Sequence, residues 1–269
     1  MFWKVVSGRF TISLTTIHYP LTKEDIIVQA WFEKLKADFI LNFVQANRWK
    51  YLLDGLGKTL LITLLSGLLG ILIGVIIAMV RSTYDKTLEG ARKTFGRKIF
   101  AFCNGFCRLY LTVLRGTPVV VQLMIIFFVI FASSDNGVMV ASLAFGLNSG
   151  AYVAEIVRGG IMSIDQGQFE AGRSLGFNYF QTMRFIIIPQ TIKNVLPSLA
   201  NEFIALLKET SVAGYVAVMD LTKAGDIIRS RTYSPFLPLL AVAAIYLVLV
   251  IFFSKLVSLL ERRLRNSDH

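Results

Sequence analysis

EAGRSLGFNYFQTMRFIIIP, the sequence of residues 170–189, decides the fold class of this chain. It forms a short polar interval between two strongly apolar segments. Glu170 offers a charge, and the small side chains of Ala171 and Gly172 permit the backbone of a partner to approach closely. The apolar side chains that could anchor such a partner are those of Phe169, Leu175 and Phe177. The pattern is typical of a docking site and not of a catalytic one.

Local signals predict how this interval folds. Asp165 is a cap residue for a helix of two turns over residues 168–175, and Gly176 suits the left-handed conformation that ends a helix. Asn178 and Gln181 can cap a second helix over residues 179–188, before Pro189. We therefore predict a short helix that lies across the surface of the protein.

The composition of the whole chain indicates a membrane protein. Of its 269 residues, 55% are hydrophobic and only 17% are charged, and the mean hydropathy is +0.62. These values are too apolar for a soluble domain of ordinary composition. The formal net charge of +11 is carried by loops between apolar runs, where basic residues signal topology next to anionic lipid. We expect contact with membrane lipid and no nucleic-acid partner.

Apolar runs predict an all-α integral membrane protein with five transmembrane helices. A helix needs about 20 residues to cross ~30 Å of hydrocarbon. Two of the five runs are irregular, because RGTP at residues 115–118 interrupts one and several polar or charged residues lie within another. The predicted spans are residues 60–80, 109–132, 138–157, 191–219 and 235–253.

Lysines and arginines near the ends of these spans predict the orientation. On one side, residues 81–98 carry six, residues 158–184 carry three and the tail after residue 253 carries four. The other side carries six in all, three before the first span and three in residues 214–234. This asymmetry places the amino terminus outside the cell, with the carboxyl terminus and the Glu170 segment in the cytoplasm.

The amino-terminal region is a separate part of the chain. We predict an extension over residues 1–55 and a transmembrane domain over residues 56–269, with a cytoplasmic loop at residues 159–189. Apolar residues recur every fourth position within residues 22–45, which predicts an amphipathic helix. This helix either lies in the outer membrane interface or packs over the end of the helix bundle. We expect no removable signal peptide, because residues 1–20 have no continuous apolar core.

Catalytic and cofactor signatures are missing from the sequence. No glycine-rich nucleotide-binding loop occurs, since GLGKT at residues 55–59 lacks the first glycine of that motif. His18 and His269 fall outside the predicted spans, which leaves no histidine base for a catalytic triad. Cys103 and Cys107 have no matching pair of ligands for a metal. We expect no enzyme activity, no catalytic residue, no cofactor and no metal site.

The Glu170 segment resembles the "EAA" loop of ABC-type importer permeases. In that loop Glu-Ala-Ala, three residues, Gly, nine residues and then Ile-x-Leu-Pro mark the cytoplasmic helix that receives an ATPase subunit. Every spacing fits, with Gly172 in place of the second alanine and Ile188 in place of the leucine. Further stretches resemble the polar amino acid (histidine, arginine and glutamine) branch of these permeases. They are LRGTP at 114–118 with Gln122, NSGAYVAEIVRGGI at 148–161, NEFI at 201–204 and LKETS at 207–211.

This resemblance runs from about residue 49 to the end of the chain and implies a fold, a function and partners. The fold is that of type I ABC importer permeases, with a cytoplasmic coupling helix. The function is uptake of a polar amino acid by alternating access, driven by separate ABC ATPase subunits. An extracellular amino-acid-binding protein delivers the substrate, and the second permease subunit is an identical or a related chain. The ATPase-coupling residues are Phe169, Glu170, Ala171, Gly172, Leu175, Gly176 and Phe177.

Physical chemistry points to a substrate site within the spans. An ionisable group inside a span costs about 2.5–3.5 kcal/mol on insertion scales, so such groups face a bundle interior or a cavity. Pro118 lacks an amide hydrogen, and the backbone groups freed around it need protein, water or ligand as partners. We predict that one set of these residues binds the substrate carboxylate and that another binds its amino group or a polar side chain. The residues for the carboxylate are Arg115, Gly116 and Thr117, with Gln122 nearby, and those for the amino group or a polar side chain are Glu202 and Glu209, balanced by Lys208.

Other interpretations remain open at this point. Glu202 and Glu209 with Lys208 could form structural ion pairs, and Glu155 with Arg158 is expected to pair or to place Arg158 at the interface. Gly70 and Gly74 are expected to allow close helix contacts, within the chain or with a second subunit. The alternative function is an ion-coupled secondary transporter of a small polar solute, with Glu202 and Glu209 carrying protons. A third possibility is a membrane scaffold that transports nothing.

Overall fold

The structure is a computed structural model that describes residues 23–88 and 95–266. Predictions about residues 1–22, including His18, and about His269 lie outside the described residues. The described part is almost entirely helical and holds no strand. Its α-helices are α1 (Lys23–Phe39), α2 (Trp49–Thr83), α3 (Phe95–Gly116), α4 (Val119–Ile125), α5 (Gly137–Met162), α6 (Gln166–Ser174), α7 (Tyr179–Thr182), α8 (Ile188–Glu209), α9 (Leu221–Thr232) and α10 (Phe236–Asn266).

Three helical segments of the described part are long and apolar enough to cross a membrane by themselves. They are Trp49–Lys86, Gly137–Met162 and Phe236–Leu264. A fourth span results if α3 is joined with Val119–Ile130, although the two are bent by 110°. The predicted all-α membrane class is therefore confirmed. The helices extend well beyond the apolar runs, since α2 has 35 residues and measures about 52 Å, more than the ~30 Å of hydrocarbon.

The fifth predicted span corresponds to α8 and the 3₁₀-helix Thr210–Val216 that follows it. With 22 residues, α8 measures about 33 Å, which is long enough to cross a bilayer. It is not among the spans selected by length and composition, because its polar and charged residues make it less apolar than those helices. The count of five transmembrane helices therefore depends on α8, the helix that holds three of the seven predicted substrate residues.

The break predicted at RGTP is present, but the helix before it starts earlier than expected. Helix α3 ends at Gly116, Pro118 is extended (φ −64°, ψ 135°), and α4 begins at Val119. The predicted start at residue 109 is wrong, because α3 already begins at Phe95. Basic residues in its first turns lower the local hydropathy without preventing a helix, since lysine and arginine are good helix formers.

Close packing of α2 on α5 forms the centre of the molecule. A Cβ on Gly70 would lie 3.1 Å from Ser149 Cβ, and one on Gly74 would lie 2.5 Å from Val153 Cγ1. The hydroxyl of Ser66 donates a hydrogen bond across the same interface to the Ser142 carbonyl (3.0 Å). These two glycines thus serve a helix contact within the chain, one of the two expected alternatives.

Helix α9 packs against the first turns of α2. A Cβ on Gly55 would lie 2.7 Å from the Asp220 carbonyl oxygen, and the Leu221 amide donates to Thr59 Oγ1 (3.0 Å). The carboxylate of Asp220 accepts the Thr222 and Lys223 amides and so caps α9. The glycine and threonine of GLGKT therefore serve a helix contact.

The amino-terminal helix α1 exposes its apolar side chains, among them Ile27, Trp31 and Phe39. The chain becomes anchored only just after α1. There Asn42 is buried and donates to Ser234 Oγ (3.2 Å), while its oxygen accepts a hydrogen bond from Thr232 Oγ1 (2.7 Å). The apolar face of α1 is thus open to solvent or lipid. The predicted division of the chain at residues 55 and 56 stays a prediction.

Candidate functional site

The predicted docking helix is present as α6, and local signals form both of its ends. Asp165 caps its start, where Oδ1 accepts the Gly167 amide (2.7 Å). Gly176 has a φ of 81°, its amide donates to the Arg173 carbonyl (2.9 Å), and the Phe177 amide donates to the Gly172 carbonyl (3.0 Å). This is a Schellman motif, which requires the left-handed conformation that glycine adopts without strain.

The next helix also starts as expected. The side chain of Asn178 accepts the Gln181 amide (3.0 Å), and the Gln181 side chain accepts the Asn178 amide (2.9 Å). This reciprocal pair is a capping box. Helix α7 then passes through the π-helical turn Met183–Ile187 directly into α8, so that Pro189 lies in the first turn of a long helix. The segment that holds α6 and α7 is therefore continuous with the helix that carries Glu202.

The two faces of α6 have different environments. Glu170, Ala171 and Leu175 are exposed, Leu175 to 71%. Phe169 is only 6% exposed, and a Cβ on Gly172 would lie 2.7 Å from Thr182 Cγ2. This differs from the expectation that Phe169 anchors a partner and that Gly172 admits one, because both face the protein interior.

The buried face of α6 connects it to the ends of two long helices. Phe169 belongs to a hydrophobic cluster with Ala78 of α2, Val157 of α5 and Met183. The Lys86 ammonium lies 3.7 Å from the centre of the Phe169 ring, a cation–π contact. The buried face of α6 thus belongs to the same hydrophobic cluster as residues of α2 and α5.

Hydrogen bonds from within the protein satisfy backbone carbonyls that the helix break at RGTP leaves without a helical partner. The Gln122 amide nitrogen donates to the carbonyls of Leu114 (2.8 Å) and Thr117 (2.9 Å) and contacts Thr117 Oγ1 (2.8 Å). Its amide oxygen accepts a hydrogen bond from Asn148 Nδ2 (2.9 Å). Both ends of the Gln122 amide are thus engaged inside the protein, so a substrate contact by Gln122 would have to replace one of these bonds.

Gly116 and Thr117 lie at the exposed turn of this break. The Thr117 hydroxyl donates to the Val113 carbonyl (2.8 Å), which is a common local bond for threonine at a helix end. A Cβ on Gly116 would meet no atom within 4 Å. The opened backbone therefore has free space beside it, as a binding site requires.

Arg115 lies in a group of ionic side chains around Glu155. Its guanidinium is 3.9 Å from Glu155 Oε2 and 5.6 Å from the centre of the Tyr152 ring. Glu155 is also paired with Arg81 (2.7 Å) and with Arg158 (3.1 Å). The expected pair of Glu155 and Arg158 is confirmed. The structure brings Arg115 into this group and does not bring it to Glu202.

Glu202 lies on α8 and is half-buried against α5. Its Oε1 accepts a hydrogen bond from Ser149 Oγ (2.9 Å). Within residues 23–88 and 95–266, neither Glu202 nor Glu209 forms an ion pair, and the exposed Lys208 forms none either. The alternative of structural ion pairs among these three residues is therefore wrong for the described part of the chain.

The predicted substrate residues fall into two groups on either side of α5. Asn148 contacts the RGTP break, and the next residue, Ser149, contacts Glu202. Sequence reasoning gave these two residues and Arg81 no place in the site, because each contact joins residues far apart in the chain. Asn148 and Ser149 did appear in the NSGAYVAEIVRGGI motif, and this was the one available signal.

Comparisons with known proteins agree with this architecture. The family model for the inner membrane component of binding-protein-dependent transport systems matches residues 70–266, well over half of the chain. The glutamine transport system permease protein GlnP of Escherichia coli K12 is 36% identical over 182 residues, which cover 66% of this chain and 82% of that protein.

Solved structures of ABC transporters are also similar to this chain. The crystal structure of an amino acid ABC transporter with histidines has 40% sequence identity and a TM-score of 0.70, and the match covers 82% of this chain and 97% of that one. An inward-facing structure of the MetNI methionine ABC transporter, at 19% identity and a TM-score of 0.65, shares the fold.

These findings confirm the resemblance seen in the sequence, and they do not favour an ion-coupled secondary transporter. They also agree with the predicted type I importer permease fold and with a multi-pass protein of the plasma membrane. Such permeases are transport subunits and not enzymes, and they work with ATPase subunits and binding proteins. The chain belongs to the family of inner membrane components of binding-protein-dependent transport systems, the permeases of ABC importers.

Proposed function

We propose that this permease subunit imports a polar amino acid, with glutamine as the first candidate. Two relatives support this substrate class, since one is named a glutamine transport permease and the other an amino acid ABC transporter crystallised with histidines. The first is matched over 82% and the second over 97% of its length. The substrate arrives from an extracellular amino-acid-binding protein.

The amino group of the substrate binds at Glu202 in this proposal. The observation that carries it is a half-buried carboxylate inside a membrane protein that accepts one hydroxyl hydrogen bond and has no cationic partner in the described residues. An uncompensated carboxylate is costly in such a place, and a substrate ammonium would supply the missing charge. Glu209 and Lys208 lie two turns along the same helix and adjust the local charge.

The substrate carboxylate binds on the other side of α5. Arg115 supplies the positive charge, and the open turn at Gly116 and Thr117 supplies backbone groups with free space beside them. Gln122 acts in the proposal mainly as the group that holds this turn open, because its amide is already engaged with Leu114 and Asn148.

The exposed face of α6 receives the ATPase subunit. Glu170, Ala171 and Leu175 form the contact, Gly176 and Phe177 shape its end, and Phe169 with Gly172 transmit the movement inward. This requires the amino terminus outside and the carboxyl terminus in the cytoplasm, as the distribution of lysine and arginine indicates. A second permease subunit, identical or related, completes the path, because five helices are too few to enclose one.

Residues 1–55 form an extension outside the transport domain of residues 56–269. The exposed apolar side chains of α1, together with its position just before a transmembrane helix, support a location in the outer membrane interface. Of the two alternatives for this helix, packing over the bundle is the less supported, since Ile27, Trp31 and Phe32 are each more than half exposed.

The test is transport by the assembled system in vesicles. The chain is reconstituted with its ATPase subunits and binding protein, and uptake of labelled glutamine and of the other polar amino acids is measured with and without ATP. We expect ATP-dependent uptake that Glu170→Lys abolishes and that Glu202→Gln reduces at least about tenfold, because a charge-assisted contact is lost.

The matched control is Glu261→Gln, which removes an exposed carboxylate from the end of α10. Uptake without ATP, or uptake that survives Glu170→Lys, would contradict the proposed ATPase coupling. Unchanged substrate affinity in Glu202→Gln would contradict the proposed site while leaving the transport function intact.

A further inference from the structure

A cavity of about 410 Å³ opens between the ends of α2, α3 and α5. Its wall combines three arginines with one glutamate, in a part of the molecule otherwise built from apolar helices. The residues that line it are Arg81, Arg108, Leu111, Thr112, Arg115, Gly116 and Glu155.

The charges of this cavity do not balance. Both carboxylate oxygens of Glu155 are already hydrogen-bonded, Oε1 to Arg81 (2.7 Å) and Oε2 to Arg158 (3.1 Å). Arg158 also forms an ion pair with Asp85, at a distance of 3.7 Å. Four guanidinium groups therefore meet two carboxylates, which leaves an excess of two positive charges.

The excess lies on Arg108 and Arg115. Arg115 is 3.9 Å from Glu155, beyond hydrogen-bonding distance, and its side chain is 44% exposed. Arg108 has no carboxylate within 4.0 Å among the described residues. In addition, Arg81 Nε is buried without a hydrogen-bond acceptor. Positive charge and hydrogen-bond donors thus exceed the acceptors that the described residues supply around this cavity.

We propose that this cavity binds an oxyanion, a carboxylate or a phosphate group, with Arg108 and Arg115 as its ligands. A guanidinium presents paired N–H groups that match either anion with two parallel hydrogen bonds. A cation would be repelled by the net charge of the wall. The volume exceeds that of a single carboxylate or phosphate, so the cavity also accommodates part of the molecule that carries the group.

Two molecules carry such a group in this setting. One is a phospholipid, and α3 also exposes apolar side chains that suit its acyl chains, among them Phe106 and Leu109. The other is the transported amino acid with its α-carboxylate. Only this second source rests on the proposed function, because the oxyanion site itself follows from the charges of the wall.

The experiment measures two probes on the purified full chain in mild detergent. Native mass spectrometry measures retained phosphatidylglycerol, and equilibrium dialysis measures bound glutamine. Each probe is applied to the wild type, to Arg108→Gln, to Arg108→Lys and to Lys98→Gln. Lys98 is the matched control, since it is an exposed cation of the same helix that does not line the cavity.

We expect Arg108→Gln to weaken one of the two probes about tenfold, because charge-assisted hydrogen bonds are lost. Arg108→Lys should retain part of the binding, and Lys98→Gln should match the wild type. Loss of phosphatidylglycerol identifies a lipid site, and loss of glutamine identifies a step on the substrate path. The proposal is overturned if Arg108→Gln binds both probes as the wild type does, or if Lys98→Gln loses as much.

Discussion

Glu155 and Glu202 are both glutamates of long membrane helices, yet the molecule surrounds them in opposite ways. Glu155 is paired with Arg81 and Arg158, and Arg115 lies a little farther away. Glu202 accepts one hydrogen bond from Ser149 and has no cation beside it in the described part of the chain. A charge that is fully compensated holds helices together, whereas a charge left without a partner is available to a ligand. The contrast separates a structural ionic centre from a candidate binding group.

The largest expected effect on stability comes from removing the charge of Glu155, the paired glutamate. Glu155→Gln leaves several guanidinium groups without their carboxylate, so we expect the free energy of unfolding to fall by about 2–3 kcal/mol. Denaturant unfolding of the purified chain in mild detergent measures it. A change no larger than that of the exposed control Glu261→Gln would mean that the ionic centre contributes little to stability.

The next effect sharpens the roles of the individual arginines. Arg81→Gln removes the 2.7 Å partner of Glu155, while Arg115→Gln removes one at 3.9 Å. We expect about 1.5–2 kcal/mol of lost stability for the first and less than about 1 kcal/mol for the second. The same unfolding measurement compares the two variants, and equal losses would contradict the assignment of Arg115 to the cavity.

A smaller effect on stability is expected at Glu202, the glutamate without a cationic partner among the described residues. Glu202→Gln removes a charge that has no partner, so the free energy of unfolding should change by less than about 1 kcal/mol. Amino acid uptake, in contrast, should fall strongly. Joint measurement of unfolding and uptake decides, because a large loss of stability would show that Glu202 is a structural residue.

The smallest effect concerns the single hydroxyl beside Glu202. Ser149→Ala removes one hydrogen bond, and we expect a loss of about 0.5–1 kcal/mol of stability together with a modest change in substrate affinity. Ser142→Ala is a suitable control, since it removes a buried serine hydroxyl elsewhere on α5. If Ser149→Ala and Ser142→Ala changed substrate affinity equally, Ser149 would not be part of the substrate site.

Short-range features of this molecule were predictable from its sequence. The cap at Asp165, the left-handed Gly176 and the capping box of Asn178 and Gln181 each depend on residues within one or two turns, and each was predicted at its position. The break before α4 follows in the same way from the missing amide hydrogen of Pro118. The three most apolar helices were also correctly predicted, because hydropathy reports the environment of a membrane span.

Long-range contacts could not be read from the sequence. Arg81 and Glu155 are 74 residues apart, and Ser149 and Glu202 are 53 apart, so no local pattern links them. The inward direction of Phe169 depends on the ends of α2 and α5, which meet α6 only in the folded chain. The start of α3 was missed because its basic residues lower the local hydropathy without preventing a helix.

The close approach of α2 to α5 at Gly70 and Gly74 limits how the transport cycle can work. The two helices are so close there that a methyl group at Gly70 would crowd α5 and one at Gly74 would collide with it. Because packed interiors resist small displacements, we expect α2 and α5 to move as one unit. We therefore expect the helices to move relative to each other where the regular helical hydrogen bonds are interrupted. These places are the helix break at Pro118 and the π-helical turn Met183–Ile187 before α8. Motion that begins at α6 would then move α8, which carries Glu202, relative to the α2–α5 pair.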